Sequence, residues 1–178
     1  PQTIKPLPNV NIMLCSIECN RSRSLAQGPS SASFVQDVED WCALTDNIFL
    51  WDYVIQFRNL VSPFPNLRVL QPNIQFFVRH HIPAVFQQGL GELHGEFAEL
   101  RAYLIAKLLW NPDVDIDAVM DDLLQSFYGA AAPFVRGYID AMHDALEASS
   151  EELSIYGYPW PSEDGHLSPA RMDAYGTL

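Results

Sequence analysis

Apolar residues in this chain come first in short unbroken runs and later at helical spacing. Val10 to Ile17 (VNIMLCSI) is apolar and rich in β-branched residues, with Pro8-Asn9 before it and polar residues after it. That pattern predicts a buried strand. A Ser-, Arg- and Gly-rich loop follows from Asn20 to Ser33. The spacing of Phe34, Val35, Val38, Trp41 and Cys42 then predicts a helix to Leu44. After the turn residues Thr45-Asp46-Asn47, Ile48 to Ile55 (IFLWDYVI) reads as a second strand. Ser62-Pro63-Phe64-Pro65-Asn66 cannot be helical, because each proline removes a donor and restricts its predecessor. Leu70 to His81 carries Ile74, Phe77, Val78 and His81 on one side of a helix, and Ala84-Val85-Phe86, just after Pro83, reads as a short third strand. Strands alternating with helices predict βαβ units and a parallel sheet.

From Glu96 onward the pattern is helical. Phe97, Leu100, Leu104, Ile105, Leu108 and Leu109 form an apolar stripe that stops at Trp110-Asn111-Pro112. Asp115 is placed to cap a helix bearing Ile116, Val119, Met120, Leu123, Leu124 and Phe127, with Gly129 at its end. Pro133 opens a further helix with Phe134, Tyr138, Met142 and Leu146 on its inner face. The tail from Ser149, punctuated by glycines and prolines, reads as loop.

Three strands are too few for a closed barrel, which needs about eight. The chain is therefore either a small open sheet or a segment of a larger domain. The abrupt start before a buried strand and the polar ending favour the segment. The expected fold is α/β, the C-terminal part of a (β/α)8 barrel followed by a run of helices. Residues 1–95 would hold the distal barrel strands, 96–148 the closing helices and 149–178 a loop-like tail.

Charge narrows the partners. With 22 acidic and 10 basic residues the net charge is -12, which repels phosphate backbones, so nucleic acid is not an expected partner. No stretch approaches the ~20 apolar residues of a membrane helix, and no signal peptide is visible at the N-terminus. Cys15, Cys19 and Cys42 form no C-x-x-C pair and are an odd set, so free and mostly buried thiols are expected. Asp113-x-Asp115-x-Asp117 has the start of a calcium loop, but Ala118 and Leu124 stand where glycine and glutamate are required. His80-His81 and His94 lack zinc spacing. No cofactor or metal is expected.

Candidate chemistry gathers where the strands end, the active face of a parallel barrel. Glu18 and Asn20 follow the first strand, Trp51, Asp52 and Tyr53 end the second, and Gln87, Gln88 and Glu92 follow the third. Aromatic faces, amides and carboxylates together suit sugar binding. Glu18, Trp51, Asp52, Tyr53, Gln88 and Glu92 are the candidate substrate contacts. The alternative is that Trp51 and Tyr53 are core and the acids form structural pairs. Glycoside hydrolysis needs two flanking carboxylates, and spacing in sequence does not show which of Glu18, Asp52 and Glu92 would converge.

Longer motifs carry a resemblance. They are Asn47-Ile-Phe-Leu-Trp51-Asp52-Tyr53, Pro63-Phe-Pro-Asn66-Leu67, Val85-Phe86-Gln-Gln-Gly89, Gly95-Glu96-Phe97-x-Glu99-Leu100-Arg101-x-Tyr103-Leu104, Leu108-Leu109-Trp110-Asn111-Pro112 and Tyr128-Gly129-x-Ala-Ala132-Pro133. In that order, over roughly Val10 to Met142, the chain resembles the family called domain of unknown function 4838. That family occurs in large exported proteins of polysaccharide-degrading bacteria and is similar to hexosaminidase-like and α-glucuronidase-like barrels. The resemblance implies a distal barrel segment, an exported protein and a carbohydrate partner. It implies no catalytic residues, since in the hexosaminidase-like relatives the acids follow an earlier strand than any present here. By the same analogy Trp51 and Tyr53 wall a sugar pocket, with Gln88 or Glu92 reaching a hydroxyl.

Three functions follow as expectations. The chain contributes substrate contacts to a glycoside hydrolase, or it is a non-catalytic carbohydrate-binding domain, or its helices form a barrel-closing or dimerising surface. The open sheet edges further predict self-association.

Overall fold

The computed structural model describes residues 5–89, 95–159 and 163–178. Strands β1 (Ile12–Cys15), β2 (Ile48–Tyr53) and β3 (Ala84–Gln88) form a parallel sheet in the order β1-β2-β3. Helices α1 (Ala32–Cys42) and α2 (Leu67–Arg79) are the two crossovers. Helices α3 (Ala98–Trp110), α4 (Ile116–Tyr128) and α5 (Ala132–Glu147) follow in succession, and α6 (Pro169–Tyr175) ends the described chain. The fold is α/β, and three βα units followed by helices are consistent with part of a β/α barrel.

Register decides which side chains meet. Leu14, Leu50 and Val85 lie side by side across the sheet, and so do Cys15, Trp51 and Phe86. Strand residues alternate between faces, so these two rows point opposite ways. The first row enters the main apolar cluster, with Val38 of α1, Ile74 and Phe77 of α2, Leu104 and Leu108 of α3, Met120 and Leu124 of α4 and Ile139 of α5. All the helices that share this core therefore lie on one side of the sheet. The other side has no helix over it among the described residues: Met13 is 52% exposed, Phe86 44%, and Cys15 is exposed. A barrel interior would lie on that side. Cys15 thus departs from the expectation of buried thiols, because its position in the alternation puts it on the uncovered face; Cys19 is buried and Cys42 half-buried.

Several boundaries shift for tertiary reasons. Helix α2 begins at Leu67, three residues before the predicted start, and tolerates Pro72 in its second turn. Its first N–H finds a distant partner, since the Leu67 amide donates to His143 Nε2 at 3.0 Å, and burial of Leu67, Val69 and Leu70 draws the extra turn into the core. Strand β3 runs on to Gln88, whose carbonyl accepts from the Val54 amide at 3.1 Å. It ends at Gly89, where a Cβ would stand only 2.6 Å from Val54 Cγ2. The predicted caps are present: Asp115 accepts from the Ala118 amide at 3.1 Å, Gly129 has φ 55°, and Pro133 opens α5. Asp117 pairs with Arg136 at 2.7 Å, so these aspartates serve helix ends and ion pairs.

The tail is more ordered than a loop reading allows. Leu153 and Ile155 are buried, and α6 opens on Ser168-Pro169. That pair is a helix-start signal in its own right. Among the described residues no helix is long and apolar enough to cross a membrane.

Candidate functional site

The uncovered sheet face turns aromatic towards the C-terminal strand ends. Trp51 and Tyr53 are two residues apart on β2 and so share a face. Their rings are near-parallel, 16° apart in plane with centroids at 6.0 Å. Phe86 meets Trp51 edge-on at 5.2 Å, and Phe57 meets Tyr53 edge-on at 6.0 Å. Tyr156, from the tail, lies 6.2 Å from Phe57. Five rings thus form one continuous series of contacts at the strand ends, in which Tyr53 is 9% exposed and Phe86 and Tyr156 are exposed. Trp51 Nε1 donates to Gln88 Oε1 at 2.6 Å, which fixes the indole and leaves Gln88 Nε2 with no partner among the described residues. Burial, helped by the neighbouring Cys15 thiol, holds the Tyr53 phenol above its usual pKa, so at neutral pH it is an uncharged hydrogen-bonding group.

Asp52 does not join this face. One residue out of phase with Trp51 and Tyr53, it points to the helix side and is 3% exposed. There it accepts a short hydrogen bond from Ser16 Oγ. The buried Arg21 donates through Nη2 to the Ser16 carbonyl at 2.5 Å and to Ser16 Oγ at 3.0 Å. Gln87 lies beside Asp52 in the register, and both its side-chain amide atoms are buried without a partner among the described residues. This polar layer ties the β1 and β2 ends together and places Asp52 on the opposite face from Trp51 and Tyr53. The reason is the two-residue period of the strand.

The remaining candidates separate as well. Glu18 is exposed in the loop after β1, and no hydrogen bond or ion pair joins it to Trp51 or Tyr53. Asn20 is buried, and its Oδ1 accepts from the Ser22 amide at 2.7 Å and the Leu153 amide at 3.2 Å, so it anchors the tail. Glu92 lies outside the described residues, as does His94. Trp51, Tyr53 and Gln88 are the predicted residues that the fold brings together. Phe57 and Tyr156 were not legible as site residues. No local pattern marks them, and Tyr156 reaches Phe57 from 99 positions further along the chain (156 against 57).

A second polar cluster lies behind the strand ends. Arg101 of α3 is 1% exposed, donates through Nη2 to Glu96 Oε2 at 2.8 Å, and makes a short bond to Asn66 Oδ1. Burial pushes the Glu96 carboxyl up, and the Arg101 charge only partly pulls it back. Below the tail, His166 sits against Glu151, its ring Nδ1 2.8 Å and its amide 3.0 Å from Glu151 Oε2. The cavity beside this pair, lined by Gln56, Phe64, Leu153 and Gly157, holds about 40 Å³. That is room for a water and not for a sugar. No group of three or more His, Cys, Asp or Glu side chains among the described residues is placed to hold a metal ion.

Fold and site together define an α/β fold whose parallel sheet carries, at its strand ends, an aromatic face with no helix over it among the described residues. The family model for a domain of unknown function (DUF4838) matches residues 1–140, and the chain belongs to that family. No curated protein and no solved structure matches it.

Proposed function

We propose that this chain is the substrate-contacting segment of a glycoside-hydrolase-like barrel and that it grips a polysaccharide or oligosaccharide at the C-terminal strand ends. The observation that carries this reading is the half-buried Trp51 ring on the face no helix covers, backed by the buried Tyr53 and fixed by Gln88. Sugar rings present C–H-rich faces that pack on aromatic rings, while their hydroxyls need donors and acceptors at the rim. Gln88 Nε2 supplies the rim, while Tyr53, 9% exposed, backs the Trp51 ring from beneath. The role assigned is contact and not bond cleavage. Asp52 is committed to Ser16 on the opposite face, and among the described residues Trp51 is hydrogen-bonded to Gln88 and not to a carboxylate. An exported setting belongs to the same proposal and follows from the family resemblance alone.

Calorimetric titration with neutral and uronic oligosaccharides tests the reading. The unaltered chain is expected to bind at least one of them. Trp51→Ala is expected to weaken that binding about tenfold or more, and Gln88→Ala about fivefold, from one lost stacking partner and one lost hydrogen bond. Circular dichroism of both variants should match the unaltered chain. A folded chain that binds no member of the panel would sink the proposal.

A second reading, self-association, is favoured by the edges of β1 and β3, which pair with no further strand among the described residues, and by Phe127 and Phe134, 61% and 64% exposed on α4 and α5. Light scattering should then give a mass that rises with concentration. A constant monomer mass would remove it.

A further inference from the structure

We infer that the tail segment Leu153–Tyr158 is part of the carbohydrate platform, and that Tyr156 forms a distal subsite selecting longer linear oligosaccharides. The inference rests on the carbohydrate reading above and extends it to residues beyond the 1–140 family match. The segment is held by both strand-end loops. The Arg21 amide donates to the Leu153 carbonyl and the Phe57 amide to the Ile155 carbonyl, each at 2.8 Å. Gln56 Nε2 donates to the Gly157 carbonyl at 2.5 Å. A turn closes where the Gly157 amide donates to the Ser154 carbonyl at 3.0 Å. There the backbone is tight enough that a Cβ on Gly157 would lie 3.1 Å from that same oxygen.

This anchoring sets an alternation. Leu153 and Ile155 face inward at 7% and 0% exposure, so Tyr156 is turned outward at 51%. It is nevertheless not a stray surface ring. Its contact with Phe57 continues the series from Trp51 through Tyr53 at the same spacing of about 6 Å. A segment fixed by backbone bonds at two loops holds that ring in place before any ligand arrives, which lowers the ordering cost of binding. A short ligand seated on Trp51 ends short of Tyr156, which lies beyond Tyr53 and Phe57 in the series of ring contacts, whereas a longer chain meets it. Tyr156 is therefore a specificity-determining residue whose contribution depends on ligand length.

The test compares the unaltered chain, Trp51→Ala and Tyr156→Ala against cello-, xylo- and chito-oligosaccharides of two and six units. Tyr156→Ala is expected to weaken six-unit binding about fivefold and two-unit binding less than about twofold, while Trp51→Ala weakens both. The exposed ring can be removed without unfolding the chain, so the thermal midpoint of Tyr156→Ala should be unchanged. Equal effects of Tyr156→Ala on both lengths, or no effect on either while Trp51→Ala still weakens binding, would overturn the subsite and leave the platform standing. Failure of the unaltered chain to bind any of these probes would overturn the platform and the subsite with it.

Discussion

Replacing Arg101 with methionine is expected to destabilise the fold by about 3–5 kcal/mol at neutral pH, the usual cost of leaving one partner of a buried ion pair behind. Methionine fills much of the volume, so the loss comes from charge and not from a cavity. Arg101 joins three parts of the chain. It binds Glu96 at the start of the α3 segment and Asn66 at the start of α2, and Asn66 Nδ2 in turn donates to the Val54 carbonyl just past β2 at 3.0 Å. Without the guanidinium, Glu96 is a largely buried carboxylate left with the Phe64 amide and the more distant His166 as its stabilising partners. Burial already raises its pKa with Arg101 present. Removing Arg101 raises it further, so in the folded variant the carboxyl takes up its proton more readily than in the unfolded chain. The penalty is then full above the folded pKa and shrinks as the pH falls through it. Urea unfolding at pH 7 and pH 5 should show the gap between variant and parent narrowing, and Glu96→Gln added to Arg101→Met should recover part of the loss. A loss below about 1 kcal/mol at pH 7 would mean that the pair is not the strut described.

The second large effect is a loss of stability on mild acidification, centred on His143. Its ring is 3% exposed; Nε2 accepts from the Leu67 amide, and Nδ1–H donates to the Ile139 carbonyl at 2.7 Å. Protonation would turn the acceptor towards Leu67 into a donor. Burial is the main reason its pKa falls to about 4; the Ile139 carbonyl opposes the shift, and the positive Arg68 and Arg101 add to it. Unfolded histidine titrates near 6.5. Between the two values the unfolded chain binds a proton that the folded chain does not. Stability is therefore complete above about pH 6.5 and declines to about pH 4, by roughly 3 kcal/mol. His143→Gln should flatten that slope while lowering stability at pH 7. Glu151 acts in a lower window. Burial pushes its carboxyl up, but hydrogen bonds and charge from His166 outweigh this and leave it below the usual range. Its contribution is present above the normal carboxylate pKa and is lost only as the pH falls towards the depressed value. A denaturation midpoint flat from pH 7 to pH 5 would contradict the His143 assignment.

Much of the fold was legible because its signals are local. The run Ile48 to Tyr53, the cap at Asp115 and the stop at Trp110-Asn111-Pro112 each depend on neighbours in sequence. Contacts between distant residues were not. The early start of α2 depends on a histidine 76 positions away, and Leu153 and Ile155 are bonded to Arg21 and Phe57, 132 and 98 positions upstream (153 − 21 and 155 − 57). The site shows the same division. The alternation in Ile48-Phe-Leu-Trp-Asp-Tyr53 already separates Asp52 from Trp51 and Tyr53, but a run apolar on both faces does not reveal which face the helices cover. Tyr156 gave no signal at all, because its place in the series depends on backbone bonds between the tail and the strand-end loops.

The most direct test of the carbohydrate platform is the indole N–H signal of Trp51 in a ¹⁵N–¹H spectrum, assigned by its loss in Trp51→Phe and followed during titration with six-unit oligosaccharides. A ligand on the uncovered face must disturb the ring that Gln88 holds, so this signal should move saturably while those of Trp41 and Trp110 stay in place. A folded chain in which the Trp51 signal stays fixed at saturating concentrations of every oligosaccharide would show that this face is not where carbohydrate binds.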